Sequence, residues 1–158
     1  MKKTISILLM LLTITFGAMA QESFAKQFKG KDGFSCVTIG KAAMKMMSSR
    51  GTLGRKGFSG KMNIGNFADK IDGLEIVSAS TPEAAYKLIG ACHDWIDKDN
   101  FESVLDVNEE GKEASIYAKT GGDHNVFLLL AQDRETSVII IYGTMTLDEI
   151  GGIVGRGE

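Results

Sequence analysis

A cysteine, two lysines and three methionines crowd into one short run, FSCVTIGKAAMKMM, as Cys36, Lys41, Met44, Lys45, Met46 and Met47. Thiolate and thioether sulfur are the soft ligands that suit Cu(I). Met44 and Met47 stand three apart and share one face of a helix, whereas Met46 points elsewhere. The run holds no histidine, and no second Met-x-x-Met array follows it. Methionine on a helical face commonly fills irregular core space. The run therefore reads as a strand and a helix whose methionines face the sheet, and no cofactor is expected. The same run sets Gly40-Lys41 after a strand, as a phosphate loop does. That loop needs a glycine where Ser35 stands and a Ser or Thr where Ala42 stands.

Other reactive residue types give no connected site. Cys92 belongs to an apolar helical stripe with Ala85, Leu88, Ile89 and Ile96, so it faces inward. Cys36 alternates with Val37 and Ile39 and is expected on the other side of its strand. Two free thiols are expected, although an oxidising compartment would bridge a pair whose geometry allowed it. His93 lies about 100° around the helix from Cys92, too far round to pair with it. His93 and Asp97 have metal-ligand spacing on an exposed face, without a third ligand. His124 sits in a glycine-rich turn. No GxSxG setting and no strong acid pair appears, so no nucleophile, base and orienting group are linked. Gly54-Arg55-Lys56-Gly57 has the form of the KH-type RNA clamp. Its flanks lack the isoleucine-rich helix pair, and no nucleic-acid partner is expected.

Charge is the remaining feature. From Gly33 to Ala68 there is no Asp or Glu, yet Lys41, Lys45, Arg50, Arg55, Lys56 and Lys61 fall there. These six are the candidate contacts to an anionic ligand.

The elements that must position these residues follow from periodicity. Phe34–Ile39 reads as a strand and Ala42–Ser49 as a short helix. A glycine-rich, basic loop is expected over 50–66. Leu74–Ala79 reads as a second strand. Thr81-Pro82 opens a helix running to about Lys98, with Thr81 as cap and Pro82 at the first helical position. Four strands are expected at Ser103–Val107, Glu113–Lys119, Asn125–Ala131 and Ser137–Tyr142. Thr146 to Glu149 forms a capping box for a last helix. A strand meander beside a few helices implies an α+β fold. The expected architecture is two-layer, with a mostly antiparallel sheet of about six strands and three helices packed mainly on one face. Asn125–Ala131 and Ser137–Tyr142 are apolar on both faces, whereas a sheet with one wet face should alternate. The second face is therefore expected to be a contact surface, most simply a homodimer interface, with Phe24 and Phe28 covering part of it; the competing reading is that the helices split across both faces and leave no patch.

The amino terminus reads as a leader. Lys2 and Lys3 precede an apolar run, and Ala18 and Ala20 give a cleavage pattern, so 1–20 is expected to be a signal peptide cut after Ala20. No cysteine follows the cut, and no later run is long and apolar enough for a membrane helix. The expected product is periplasmic or secreted, a single domain over 21–158. That product has 16 basic and 20 acidic residues, a net of −4. With +6 between Gly33 and Ala68, the rest carries −10.

In order along the chain, Gly33–Met44, Gly73–Val77, Phe101–Leu105 and Gly143–Ile150 resemble the successive blocks of the family catalogued as domain of unknown function 4252. The resemblance implies a small exported protein or lipoprotein of Gram-negative bacteria. Many members carry an anchoring cysteine after the leader, which this chain lacks. The family brings no assigned activity and no catalytic residues. The expected function is a non-catalytic cell-envelope module for binding or signalling. The alternative is a periplasmic hydrolase or redox enzyme whose site is assembled from residues far apart in sequence.

Overall fold

The computed structural model of the chain describes residues 23–49 and 65–154. The expected leader and residues 50–64 of the glycine-rich basic segment lie outside the described residues. Six strands form one antiparallel sheet: β1 (Phe34–Gly40), β2 (Ile71–Ala79), β3 (Glu102–Glu109), β4 (Lys112–Lys119), β5 (Asn125–Gln132) and β6 (Thr136–Gly143). Their spatial order is β1-β2-β6-β5-β4-β3. The carboxy-terminal four form a meander, and β2 joins it along β6, the last strand in sequence. Three α-helices accompany the sheet: α1 (Lys41–Ser49), α2 (Pro82–Asp99) and α3 (Leu147–Val154). The fold is α+β with an antiparallel sheet of six strands, as expected.

Local chemistry fixes the element ends. At the start of α2, Ala84 N–H donates to Thr81 Oγ1 at 3.2 Å, and Pro82 occupies the first turn. Asn100, left-handed at φ 54°, ends the helix, and Phe101 N–H reaches back to Ile96 O at 3.0 Å. At α3 the capping box forms in both directions: Thr146 N–H donates to Glu149 Oε2 at 3.0 Å, and Glu149 N–H to Thr146 Oγ1 at 3.4 Å. Glu110 and Gly111, both at positive φ, make the tight turn between β3 and β4. Gly143 is required where it stands, because a Cβ there would lie 2.0 Å from Lys70 O.

The sheet is covered on both sides, so the architecture has three layers rather than two. The front face carries α2, whose Ala84, Leu88, Cys92 and Ile96 pack on Val77, Leu128, Val138 and Ile140. The amino-terminal 310 turn Phe24–Gln27 lies beside α2, and Phe24 and Phe28 are buried there. Phe24 stacks on Trp95 at 5.2 Å and Phe28 meets Phe34 at 4.8 Å. The back face carries α1, a 310 turn at Gly65–Lys70 and α3. There Met44, Met145 and Ile150 meet Leu74, Phe127 and Ile141. Two helices therefore share one face and the longest occupies the other. The physical reason is the doubly apolar pair β5 and β6: adjacent residues point to opposite faces, so Phe127 needs a cover on one side and Leu128 on the other.

Candidate binding surface

Thiol and thioether chemistry is separated by the sheet. Met44 is fully buried on the back face, while Cys36 packs among the front-face residues with Cys92. The two sulfurs flank opposite sides of one backbone layer and cannot ligate one ion. The alternation of Cys36 against Val37 and Ile39 holds, but its face is the one that carries α2. The expectation that Cys36 points away from Cys92 is therefore corrected, because α2 chose Cys36's side. Both thiols are free. Burial pushes the Cys92 thiol up to about 12 and raises that of Cys36, whose neighbour Glu75 adds to the shift. Thiols held protonated in this way are poor nucleophiles.

Charged residues resolve into local pairs. β2 carries a bulge at Asp72, which drops out of the ladder between Ile71 and Gly73. The bulge turns Asp72 toward Lys41 Nζ at 2.6 Å and His124 Nδ1 at 2.8 Å. The hydrogen bond from Lys41 holds the Asp72 carboxyl below its ordinary range. Of the six basic residues expected to contact an anion, Lys41 is thus engaged by an acid from β2. Lys45 is exposed, with no ion pair among the described residues, and Arg50, Arg55, Lys56 and Lys61 lie outside them. His93 and Asp97 are both exposed on α2. No group of three metal-ligating side chains occurs among the described residues.

One carboxylate is buried among the described residues. Glu75, 4 % exposed on the front face of β2, accepts a 2.8 Å hydrogen bond from Ala25 N–H. Burial and the nearby Glu75 charge push the Tyr142 hydroxyl well above its ordinary range. The group fastens the amino-terminal turn to the sheet. Two clefts lie along α2: one of about 550 Å³ between that turn and the helix, lined by Phe24, Gln27, Asp94 and Trp95, and one of about 570 Å³ lined by Gly33, Phe34, Thr81 and Glu83. Neither histidine lines either cleft.

The arrangement that stands out is on the back face, where the strand register aligns whole rows. Val37, Ile76, Ile139, Leu129, Ile116 and Leu105 run side by side across all six strands. The next row toward the open end is Ser35, Ser78, Ser137, Ala131, Ala114 and Val107. The first row is entirely branched aliphatic, and the second is small at five of six positions. Neither holds a charge. Among the described residues the back-face helices centre on the row beyond, that of Leu74, Ile141 and Phe127, and Ile76, Leu129 and Ile139 pack against the same core. Val37 is 44 % exposed, Leu105 42 % and Val107 38 %, while Ile76, Leu129 and Ile139 are half-buried and Ile116 is buried.

A second bulge makes this row possible. Val104 drops out of the β3–β4 ladder between Ser103 and Leu105. Without it, Leu105 and Val107 would turn to the front face, since a one-residue shift reverses every side chain. With it, Asp106 and Asn108 face front, where Ser115 Oγ donates to Asp106 Oδ1 and Asn108 Nδ2 to Glu113 Oε1. The outer hairpin is therefore polar in front and apolar behind. Sequence reasoning missed this row, because a bulge leaves no mark in a pattern of alternating residues.

A family model described as Domain of unknown function (DUF4252) matches residues 28–153. The chain belongs to this family. The match runs from the buried Phe28 into α3, so the sheet, both bulges and the aligned rows all lie within the family's domain. No curated protein and no solved structure matches the chain.

Proposed function

We propose that this member of the family is a non-catalytic binding module of the bacterial cell envelope, exported by a leader cut after Ala20, which makes its contact through the open rows of the back face. The observation that carries the reading is the pair of aligned, uncharged rows, exposed at Val37, Leu105, Val107, Ala114 and Ala131. Monomeric proteins rarely leave a contiguous apolar patch of several hundred Å² open, and such patches mark contact sites. Its polar rim supports the same reading: Glu109, Lys112, Asp133 and Glu135 stand at the strand ends just beyond the small row.

The test is photo-crosslinking in the exporting cell. A photoreactive side chain at Ala131, in the small row, is expected to give a discrete adduct. The same group at His93, on the exposed face of α2, gives none. Absence of any adduct at Ala131 in cells that export the folded chain would sink the reading. Recovery of the chain with its leader uncut in the cytoplasm would sink the envelope location.

A further inference from the structure

Resting on that reading, we infer that the occupant of the back face is a second copy of this chain, stacked about a two-fold axis that lies between the two rows and runs along them. A two-fold placed there carries each large row onto the partner's small row. Leu129 then faces the partner's Ala131, Ile139 the partner's Ser137, Ile76 the partner's Ser78 and Ile116 the partner's Ala114. An isologous interface needs this kind of self-complementarity, residue i on j and j on i. Stacked sheets interdigitate side chains at about 10 Å, with strands within about 30° of parallel. Large opposite small is what allows the two layers to close without voids.

The polar content of the surface suits burial. Ser78 Oγ and Ser137 Oγ already hydrogen-bond each other at 2.9 Å, so desolvating them leaves no orphan. No charged side chain stands in either row. Among the described residues the back-face helices centre on the Leu74, Ile141 and Phe127 row, and Ile76, Leu129 and Ile139 touch that core on one side while the small row lies on their other side. Two rows across six strands span about 30 Å by 14 Å, about 400 Å² per copy. Specific interfaces begin near about 1,000 Å² in total. With the strand ends added at the rim, the pair sits at the low end of that class, and its dissociation falls in the micromolar range.

The experiment is sedimentation of the mature chain, Gln21 to Glu158, from about 1 to 300 µM, a window chosen to bracket micromolar dissociation. The wild type is expected to pass from monomer to dimer across that range. Ala131→Asp buries a lone charge opposite Leu129 and weakens the dimer more than about a hundredfold. Leu129→Lys does the same from the other side. Mixed in equal amounts, the two variants place the introduced carboxylate of one copy opposite the introduced ammonium of the other and regain a dimer that salt weakens. Circular dichroism and the urea midpoint show whether each variant is folded. Should Leu129→Lys fail to fold, Ile139→Lys with Ser137→Asp makes the equivalent pair. A wild type that stays monomeric to 300 µM overturns the inference, as does an Ala131→Asp chain that still dimerises or a folded mixture that does not. The crosslinking result separates the two claims: an adduct of twice the chain mass supports both, and an adduct of any other mass overturns the second copy while leaving the binding surface standing.

Discussion

At the residue scale the chain spends its charges locally and buries one of them. Lys41 and Lys45 both come from the basic segment, yet only Lys41 meets an acid, Asp72, among the described residues. We propose that Lys45, with Arg50, Arg55, Lys56 and Lys61, contacts an anionic envelope component. Each basic residue contributes about 1 kcal/mol near an anionic membrane, and salt screens it. Neutralising those five to glutamine is expected to abolish salt-sensitive binding of the mature chain to vesicles containing anionic lipid. Binding that persists would remove the proposal. Lys41→Gln acts on stability instead. Because Asp72 titrates below its ordinary range when folded, the pair stabilises above about pH 4 and fades as pH falls through the lowered value. A loss of up to about 1 kcal/mol is expected at neutral pH, shrinking toward zero in acid. Glu75 is the costlier position. Glu75→Leu strands Ala25 N–H beneath the aromatic cluster and is expected to cost about 1–3 kcal/mol in urea unfolding, with Trp95 fluorescence reporting release of the amino-terminal turn. An unshifted Trp95 signal would show that Phe24 and Phe28 hold the turn alone.

At the element scale much was legible. Thr81-Pro82 marked α2 and Thr146 to Glu149 marked α3, because caps are local and their partners lie three residues away. The strands were legible too, since apolar runs bounded by turn residues survive any tertiary context. What escaped was the side of the sheet each helix takes. That depends on which strand neighbours it crosses, a long-range fact that Cys36 alone could not disclose. The bulges escaped for a related reason: Asp72 and Val104 look like ordinary strand residues until their partners are known. The bulge at Val104 offers a sharp test. Deleting Val104 removes the bulge and leaves its neighbours in register: Ser103 still meets Tyr117 and Leu105 still meets Ile116, so Leu105 and Val107 are expected to keep the back face. The shortened chain should keep its circular dichroism spectrum and its dimer. Loss of the dimer in a folded shortened chain would show that the bend made by the bulge shapes the contact.

At the scale of the whole molecule, the described residues form a sheet with helices on both faces, and the back-face helices centre on one end of the strands. α1 and α3 cap the end where Gly143 meets Lys70, and the strands run past them. The candidate surface could not be seen in sequence because it is a property of register. Its twelve residues come from six strands scattered between Ser35 and Ile139, and no window of the chain contains more than a few. The expectation of a contact face was placed on β5 and β6, which supply four of the twelve residues in the two rows. β5 and β6 are doubly apolar because both their faces are core near the helices, and the open patch lies further along the same strands and outward through β4 to β3.

The pairing of β2 with β6 has a kinetic meaning. β2 ends at Ala79 and its partner begins at Thr136, so neither β2 nor the β1 strand leaning on it can enter the sheet until nearly the whole chain exists. The first half of the polypeptide is thus obliged to wait. Long-range pairing of this kind slows folding, since loop closure must precede the contacts that reward it. For a chain made from its amino terminus, β1 and β2 have only each other to pair with until β6 arrives. The strand order that aligns the rows therefore also sets the order in which the sheet assembles.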